Sequence, residues 1–225
     1  MKQTLPVLLF TTLIVSCGGR RSVYQSPDFD AANNQVRTIA VLPVQMIRTG
    51  HVGKNETQAS IDAANERLGF AFQDMLYSFS ADQTARNRRG HVVKFQSTRQ
   101  TNSFFAQKGW NIDSIYVKSP ETLAQMLGVD AVLMTTLNHN KNVSDGVAYG
   151  VNATRAVLAT VTGGRVVTPG IQASDVRLSV SIYNGQTGNV LWKSFHNGGA
   201  EIPAHVDDVV QWYAHWIARR LPYRS

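Results

Sequence analysis

The residue with the most distinctive chemistry is Cys17, the only cysteine in a chain of 225 residues. A lone thiol makes no disulfide within the chain and no cysteine-based zinc site. It can act as a nucleophile, since the thiolate attacks electrophilic carbon under mild conditions. The histidines are His51, His91, His139, His196, His205 and His215. None are four apart, the spacing that puts two imidazoles on one helix face for a metal. His205 stands before Asp207 and Asp208; this is a helix start, where the dipole favours acidic side chains. The chain has no Gly-x-Ser-x-Gly elbow and no glycine-rich loop leading into Lys-Ser/Thr. Gly163-Gly164-Arg165 reads as a turn. No catalytic residue, metal site or cofactor is assigned. A hydrolase with scattered residues stays open as an alternative.

The chemistry of Cys17 depends on what precedes it. Residues 1–17 read MKQTLPVLLFTTLIVSC. Lys2 supplies a positive start, and Leu5 to Val15 is an apolar stretch of signal-peptide length. Gly18-Gly19-Arg20-Arg21 ends the run well short of the ~20 residues that a membrane-spanning helix needs. Ile14-Val15-Ser16-Cys17 resembles a bacterial lipobox. The resemblance implies cleavage between Ser16 and Cys17, diacylglyceryl transfer to the Cys17 sulfur, and acylation of the new amine. Multiple acyl chains anchor far more firmly than one. Gly18 rather than an aspartate follows the cysteine; by the sorting rule of enteric bacteria this implies the outer membrane, with the domain facing the periplasm.

Composition sets the frame for the rest. The chain is 43% hydrophobic and 16% charged, with a formal net charge of +7. That apolar share supports one folded core. Arg86, Arg88, Arg89, Lys94 and Arg99 form a basic cluster, read as a solvated loop or as a contact for lipid headgroups or cell-wall polymer. Export argues against nucleic acid as a partner. The domain expectation is a signal peptide at 1–16, a lipid-anchored tether at 17–36 and a single α/β domain at 37–225.

The elements follow from periodicity. Arg37 to Met46 reads as a strand whose near-continuous apolar run suits burial on both faces. Pro43 must sit at an edge, a bulge or the strand's end. Ile61, Ala64, Leu68, Phe72, Met75, Leu76 and Phe79 recur at helical spacing over 57–80, with Asn55 or Thr57 as cap. A polar loop at 81–90 and a short strand at Val92 to Phe95 follow. A helix spans 98–109, closed by Gly109. Ser119-Pro120-Glu121-Thr122 opens another helix that Gly128 closes. Val129 to Leu137 is a third strand. Residues 174–183 alternate, Asn184 to Gly188 turn, and 189–195 return as a hairpin. A helix over 203–221 closes the chain, with Val206, Val209, Val210, Tyr213, Ile217 and Leu221 as its buried stripe. Trp192, Trp212 and Trp216 read as core or helix-packing residues rather than a ligand cage. The sum is a mixed sheet of about five strands with helices packed on it.

Residues 141–172 are a Gly-rich excursion between the third strand and the hairpin. From Val147 the chain alternates with period two through Tyr149, Val151, Val157 and Val161. This pattern fits a long strand, and Gly163-Gly164 could return it as a membrane hairpin. Arg155 on the apolar face would cost ~2–4 kcal/mol in lipid, and Pro169 breaks the return. A surface loop, or a short helix at 152–160, is the other reading.

Three segments carry a resemblance. Thr38-Ile39-Ala40-Val41-Leu42-Pro43-Val44 is similar to the opening strand of the TolB N-terminal, curli-secretion-channel (CsgG) and LpoB group of envelope lipoproteins. Leu127-Gly128-Val129-Asp130-Ala131-Val132-Leu133 resembles the group's helix-to-strand step. Val180-Ser181-Ile182-Tyr183-Asn184 through Gly185-Gln186-Thr187-Gly188-Asn189-Val190-Leu191-Trp192 resembles its late hairpin, with Asn184 where an acidic residue is common. The resemblance implies an α/β domain without catalytic residues, bound to other envelope proteins or cell-wall polymer and acting in assembly or transport. It also implies a homo-oligomeric export channel as the alternative, with 141–172 in the membrane.

Overall fold

The computed structural model describes residues 23–86, 93–161, 173–200 and 206–223. The signal segment with Ser16 and Cys17 lies outside the described residues. So do Arg88, Arg89, His91, the Gly163-Gly164 turn, Pro169 and His205.

The elements are β1 (Val23–Gln25), α1 (Phe29–Asn33), β2 (Thr38–Val41), β3 (Gln45–Gly50), α2 (Gln58–Arg86), β4 (Lys94–Gln96) and α3 (Thr98–Gln107). Then come α4 (Ile112–Tyr116), α5 (Pro120–Leu127), β5 (Ala131–Lys141), α6 (Asp145–Val161), β6 (Ser174–Asn184), β7 (Val190–Ala200) and α7 (Val206–Ala218). They build a seven-stranded sheet in the order β1-β7-β6-β5-β2-β4, with β3 also paired to β5. The early βα units give parallel pairs (β2 with β4 and β5), and the late hairpin adds antiparallel β6 and β7. The mixed sheet is as expected, but it has two more strands than the five read from the sequence.

Both extra strands have a physical cause. The expected strand 37–46 is two, because Pro43 has no N–H for the ladder. Leu42, Pro43 and Val44 stand opposite only Met134 and Thr135, so one residue bulges out. The freed groups find partners elsewhere. The Val44 N–H donates to Gly69 O of α2 at 3.1 Å. Gln73 Nε2 donates to Val41 O at 2.8 Å and its Oε1 accepts from Asn102 Nδ2. The Tyr116 hydroxyl accepts from the Thr135 N–H at 3.0 Å and lies 2.6 Å from Thr135 O and 3.0 Å from Pro43 O. A side chain at Gly69 would collide with Val44 O, so only glycine lets the helix come this close. The other added strand is β1. It lies in the segment read as tether, yet it pairs with β7 from Val23 opposite Ser194 to Gln25 opposite Trp192. Buried Phe29 and Val36 then tie 23–36 to the core, so the folded unit begins before residue 37.

Two layers cover the sheet. Ile39, Val41, Phe72, Leu76, Leu133, Leu178, Val180, Ile182, Trp192 and Ile217 form the core under α2 and α7. Ala40, Leu42, Phe105, Ile115, Leu123, Leu127 and Val132 form a second core under α3, α4 and α5. Residues 39–42 are thus buried alternately on both faces, as their continuous apolar run requires. Thr57 caps α2 through a reciprocal pair with Ser60. The helix runs on to Arg86, so the first part of the loop expected at 81–90 is helical. Buried Ser80 and Thr84 bring that turn into the interior, a role that polar residues conceal in the sequence. Ser119 caps α5, and Gly128 ends it at φ 68°, as expected.

The excursion departs from its strand pattern. Asp145–Val161 is a helix, started by Ser144 Oγ accepting from the Val147 N–H. Alanine, valine and threonine satisfy a period of two as well as one of 3.6, and no neighbouring strand pairs with this segment among the described residues.

Tyr116→Phe removes the group that closes the ladder gap. We expect a loss of about 1–3 kcal/mol, the cost of stranding buried backbone groups, read as a lower urea midpoint. An unchanged midpoint contradicts this role.

Candidate interaction surfaces

The residues that carry the sequence resemblance meet at one end of the sheet. The Asp130 carboxylate accepts from the Arg37 and Thr38 N–H groups, both at 2.8 Å. Its backbone oxygen accepts from the Gly185 N–H at 2.7 Å. Asn184 Oδ1 accepts from the Gln186 and Thr187 N–H groups and so shapes the hairpin turn. Asn184 therefore performs the turn-forming task open to an aspartate. These polar groups serve backbone that the ladder leaves unsatisfied.

Other charged groups are similarly engaged. Arg48 grips Glu56 with two hydrogen bonds, at 2.7 and 2.6 Å, and the Gly53 N–H adds a third at 2.7 Å. The Arg48 hydrogen bond, with that of Gly53, holds the Glu56 carboxyl down to about 2. It is an anion at neutral pH and a clip on the loop after β3. A cleft of about 270 Å³ lies between Gln45, Asp62, Glu66, Asn111 and Asp113. Its carboxylates are exposed. Asp113 accepts from Gln45 at 3.1 Å, and Asp62 from Gln58 at 2.7 Å. The described residues contain no group of three His, Cys, Asp or Glu placed to hold a metal.

What the surface does offer is apolar. Val147, Val151, Val157 and Val161 all lie on α6, and every described side chain of that helix is exposed. At about 100° per residue, the four valines occupy roughly one third of the helix circumference. Tyr149 lies on the same helix, with its side chain outside the description. None of the helices among the described residues is long and apolar enough to cross a membrane.

A second patch is aromatic, and it departs from the expectation at Trp212, since Trp216 packs against the core. Trp192 is core, but Trp212 is 53% exposed and Trp216 is half-buried. The two indoles stack along α7 with centroids 6.4 Å apart. His196 of β7 meets the edges or faces of Trp212, Tyr213 and Trp216 at 5.1 to 5.7 Å. The Arg220 guanidinium lies 4.0 Å over the Trp216 ring. The i, i+4 spacing of 212, 216 and 220 was the available signal. It predicts a shared stripe, but not whether anything covers it.

Burial, helped by the Arg220 charge, lowers the His196 pKa. Above the ordinary value of about 6.5 the imidazole is neutral in both folded and unfolded chains. As pH falls below that value, the unfolded chain takes up the proton first, so stability is lost through the depressed folded pKa. We expect the urea midpoint to fall between about pH 7.5 and pH 5, and His196→Phe to shrink that fall. An equal fall in the variant excludes His196 as its source.

No protein-family model matches the chain, and no curated protein matches it. Among solved structures, lipoprotein GNA1162 from Neisseria meningitidis is 16% identical, covering 81% of this chain and 99% of that one, with a TM-score of 0.39. The LpoB C-terminal domain from Salmonella enterica is 13% identical over 73% of this chain and 83% of its own, at 0.34. A PelC dodecamer from Paraburkholderia phytofirmans is 10% identical over 90% and 95%, at 0.36. The chain thus has a weak, low-identity structural similarity to several bacterial envelope proteins and is not placed in a specific family.

Proposed function

We propose that this protein is a non-enzymatic envelope lipoprotein, anchored through Cys17, that binds other envelope components and supports assembly or transport at the outer membrane. The observation that carries the reading is α6. A helix of 17 residues presents valines at 147, 151, 157 and 161 to solvent instead of to its own core. Exposed apolar area is worth roughly 25 cal/mol per Å² when a partner covers it. Apolar side chains left open in this way are what a partner would cover. The engaged polar groups and the open cleft described above favour contact over chemistry.

A second reading draws on the same segment. Residues 145–161 would then leave the helix and pair as strands by their period-two alternation, copies of 141–172 would close into a membrane barrel, and the protein would be an oligomeric export channel. A lone hairpin would leave unpaired edges in lipid, so this reading requires a closed ring.

The excursion can be removed cleanly. The Asn142 N–H donates to Ala173 O at 3.0 Å, so its two ends already meet. Deleting 144–170 should leave the urea midpoint unchanged and abolish co-purification of envelope partners with the acylated protein. A folded deletion that keeps the same partners sinks the reading. Light scattering on the acylated protein separates the alternatives: a monomer supports the adaptor, and a many-copy ring that conducts across a bilayer supports the channel.

The anchor has its own check. Cys17→Ser should abolish palmitate incorporation and release the chain from membranes. Membrane retention after clean signal cleavage contradicts lipidation.

A further inference from the structure

The stripe of Trp212, Trp216 and Arg220 lies where the chain enters the fold. The β1–β7 register sets Val23 opposite Ser194, and Gln25 opposite Trp192. The chain therefore reaches β1 from the end of β7 that carries Phe195 and His196. Directly opposed residues of an antiparallel pair share a face, so Val23 shares one with Ser194. His196 is next on that face, since side chains alternate along the strand. Its ring abuts Trp212, Tyr213 and Trp216. On the other face of the same edge, Tyr24 and Phe195 are also exposed.

Length and charge complete the argument. Cys17 stands six residue steps before Val23, a reach of at most about 20 Å. Arg20 and Arg21 lie between them. An acyl anchor at Cys17 would thus hold this edge close to the headgroup layer. The stripe has the chemistry of that layer. Indoles prefer the boundary between hydrocarbon and water. A guanidinium over an indole can keep its charge at phosphate level while its stem lies on apolar surface. Basic side chains add attraction to anionic lipid.

We propose that Trp212, Trp216 and Arg220 form a membrane-apposed face, seated in the headgroup layer of the bilayer that carries the anchor. The inference rests on the lipoprotein reading for its geometry. The occupant is the lipid surface itself. The α6 helix is left for the protein partner.

The test uses the acylated full chain in vesicles of phosphatidylcholine and phosphatidylglycerol with brominated acyl chains. The chain has four tryptophans. Trp192 is buried and Trp110 is half-buried against Phe105 on the other layer. We expect bromine to quench the emission, and Trp212→Phe/Trp216→Phe to remove the quenched component. Arg220→Gln should weaken quenching more in vesicles with phosphatidylglycerol than in those without. A chain that carries labelled palmitate and floats with the vesicles, yet is not quenched, overturns the face and leaves the anchor standing. Quenching that survives the double Phe variant overturns it as well. If Cys17 takes up no palmitate, the same unacylated chain is added to the same vesicles. Stripe-dependent quenching then supports the face although the anchor reading has failed, and its absence overturns both. The double Phe variant must keep the wild-type urea midpoint, since Phe retains most of the aromatic packing with His196. If it does not, Trp212→Phe alone, at the exposed position, decides by the same quenching criterion.

Discussion

The break in the central ladder at Leu42-Pro43-Val44 is the constraint around which the domain is arranged. A proline inside a buried strand removes one donor and shifts the register by one residue. Backbone groups left unpaired there would be costly in a dry interior. Three groups on two helices answer that demand. The α2 helix brings Gly69 O and the Gln73 amide against the bulge. The Tyr116 hydroxyl, contributed by α4, fills the gap from the other side. The helical layers on the two faces are thus tied to one three-residue irregularity. Burial raises the Tyr116 pKa well above its ordinary value, so the phenol stays protonated and keeps its donor.

The same break divides the molecule. Below it, β2 lies between two helical layers, and Ile39, Ala40 and Val41 are fully buried. Beyond it, β3 and the far ends of β5, β6 and β7 continue as a sheet, with more polar, half-exposed residues on β3 and the end of β5. The α6 helix hangs from that extension, between Lys141 and Ser174. A buried base and an exposed apolar helix are what the proposed contact function calls for. The polar side chains of Asp130, Asn184, Arg48 and Glu56 hold loops and strand ends in place. Hydrogen bonds to charged groups are the stronger kind, so such clamps repay the entropy of ordering a loop.

The two exposed apolar regions differ in kind. The α6 valines are aliphatic and lie within the excursion. The α7 stripe is aromatic and cationic and lies at the chain's entry. Each is the sort of surface that a monomer leaves open only at some cost in solubility.

What the sequence by itself determined was whatever depends on neighbours within a few residues. Thr57, Ser119 and Gly128 mark helix ends because a cap is a bond to a backbone group three or four positions away. Asn184 to Gly188 makes its turn for the same local reason. The apolar run at 39–42 announced burial on both faces, and Ile14-Val15-Ser16-Cys17 carried the lipobox resemblance. Tertiary structure alone decided the rest. Val23–Gln25 becomes a strand because β7 offers an open edge, which nothing near residue 23 reveals. Asp145–Val161 is helical since small and β-branched residues satisfy both periods, so the choice falls to the presence or absence of a pairing strand. Trp212 is exposed while Trp192 is core, although both sit among apolar neighbours in sequence. Burial is a property of what comes from a distance to cover a side chain, and a sequence records only the side chain.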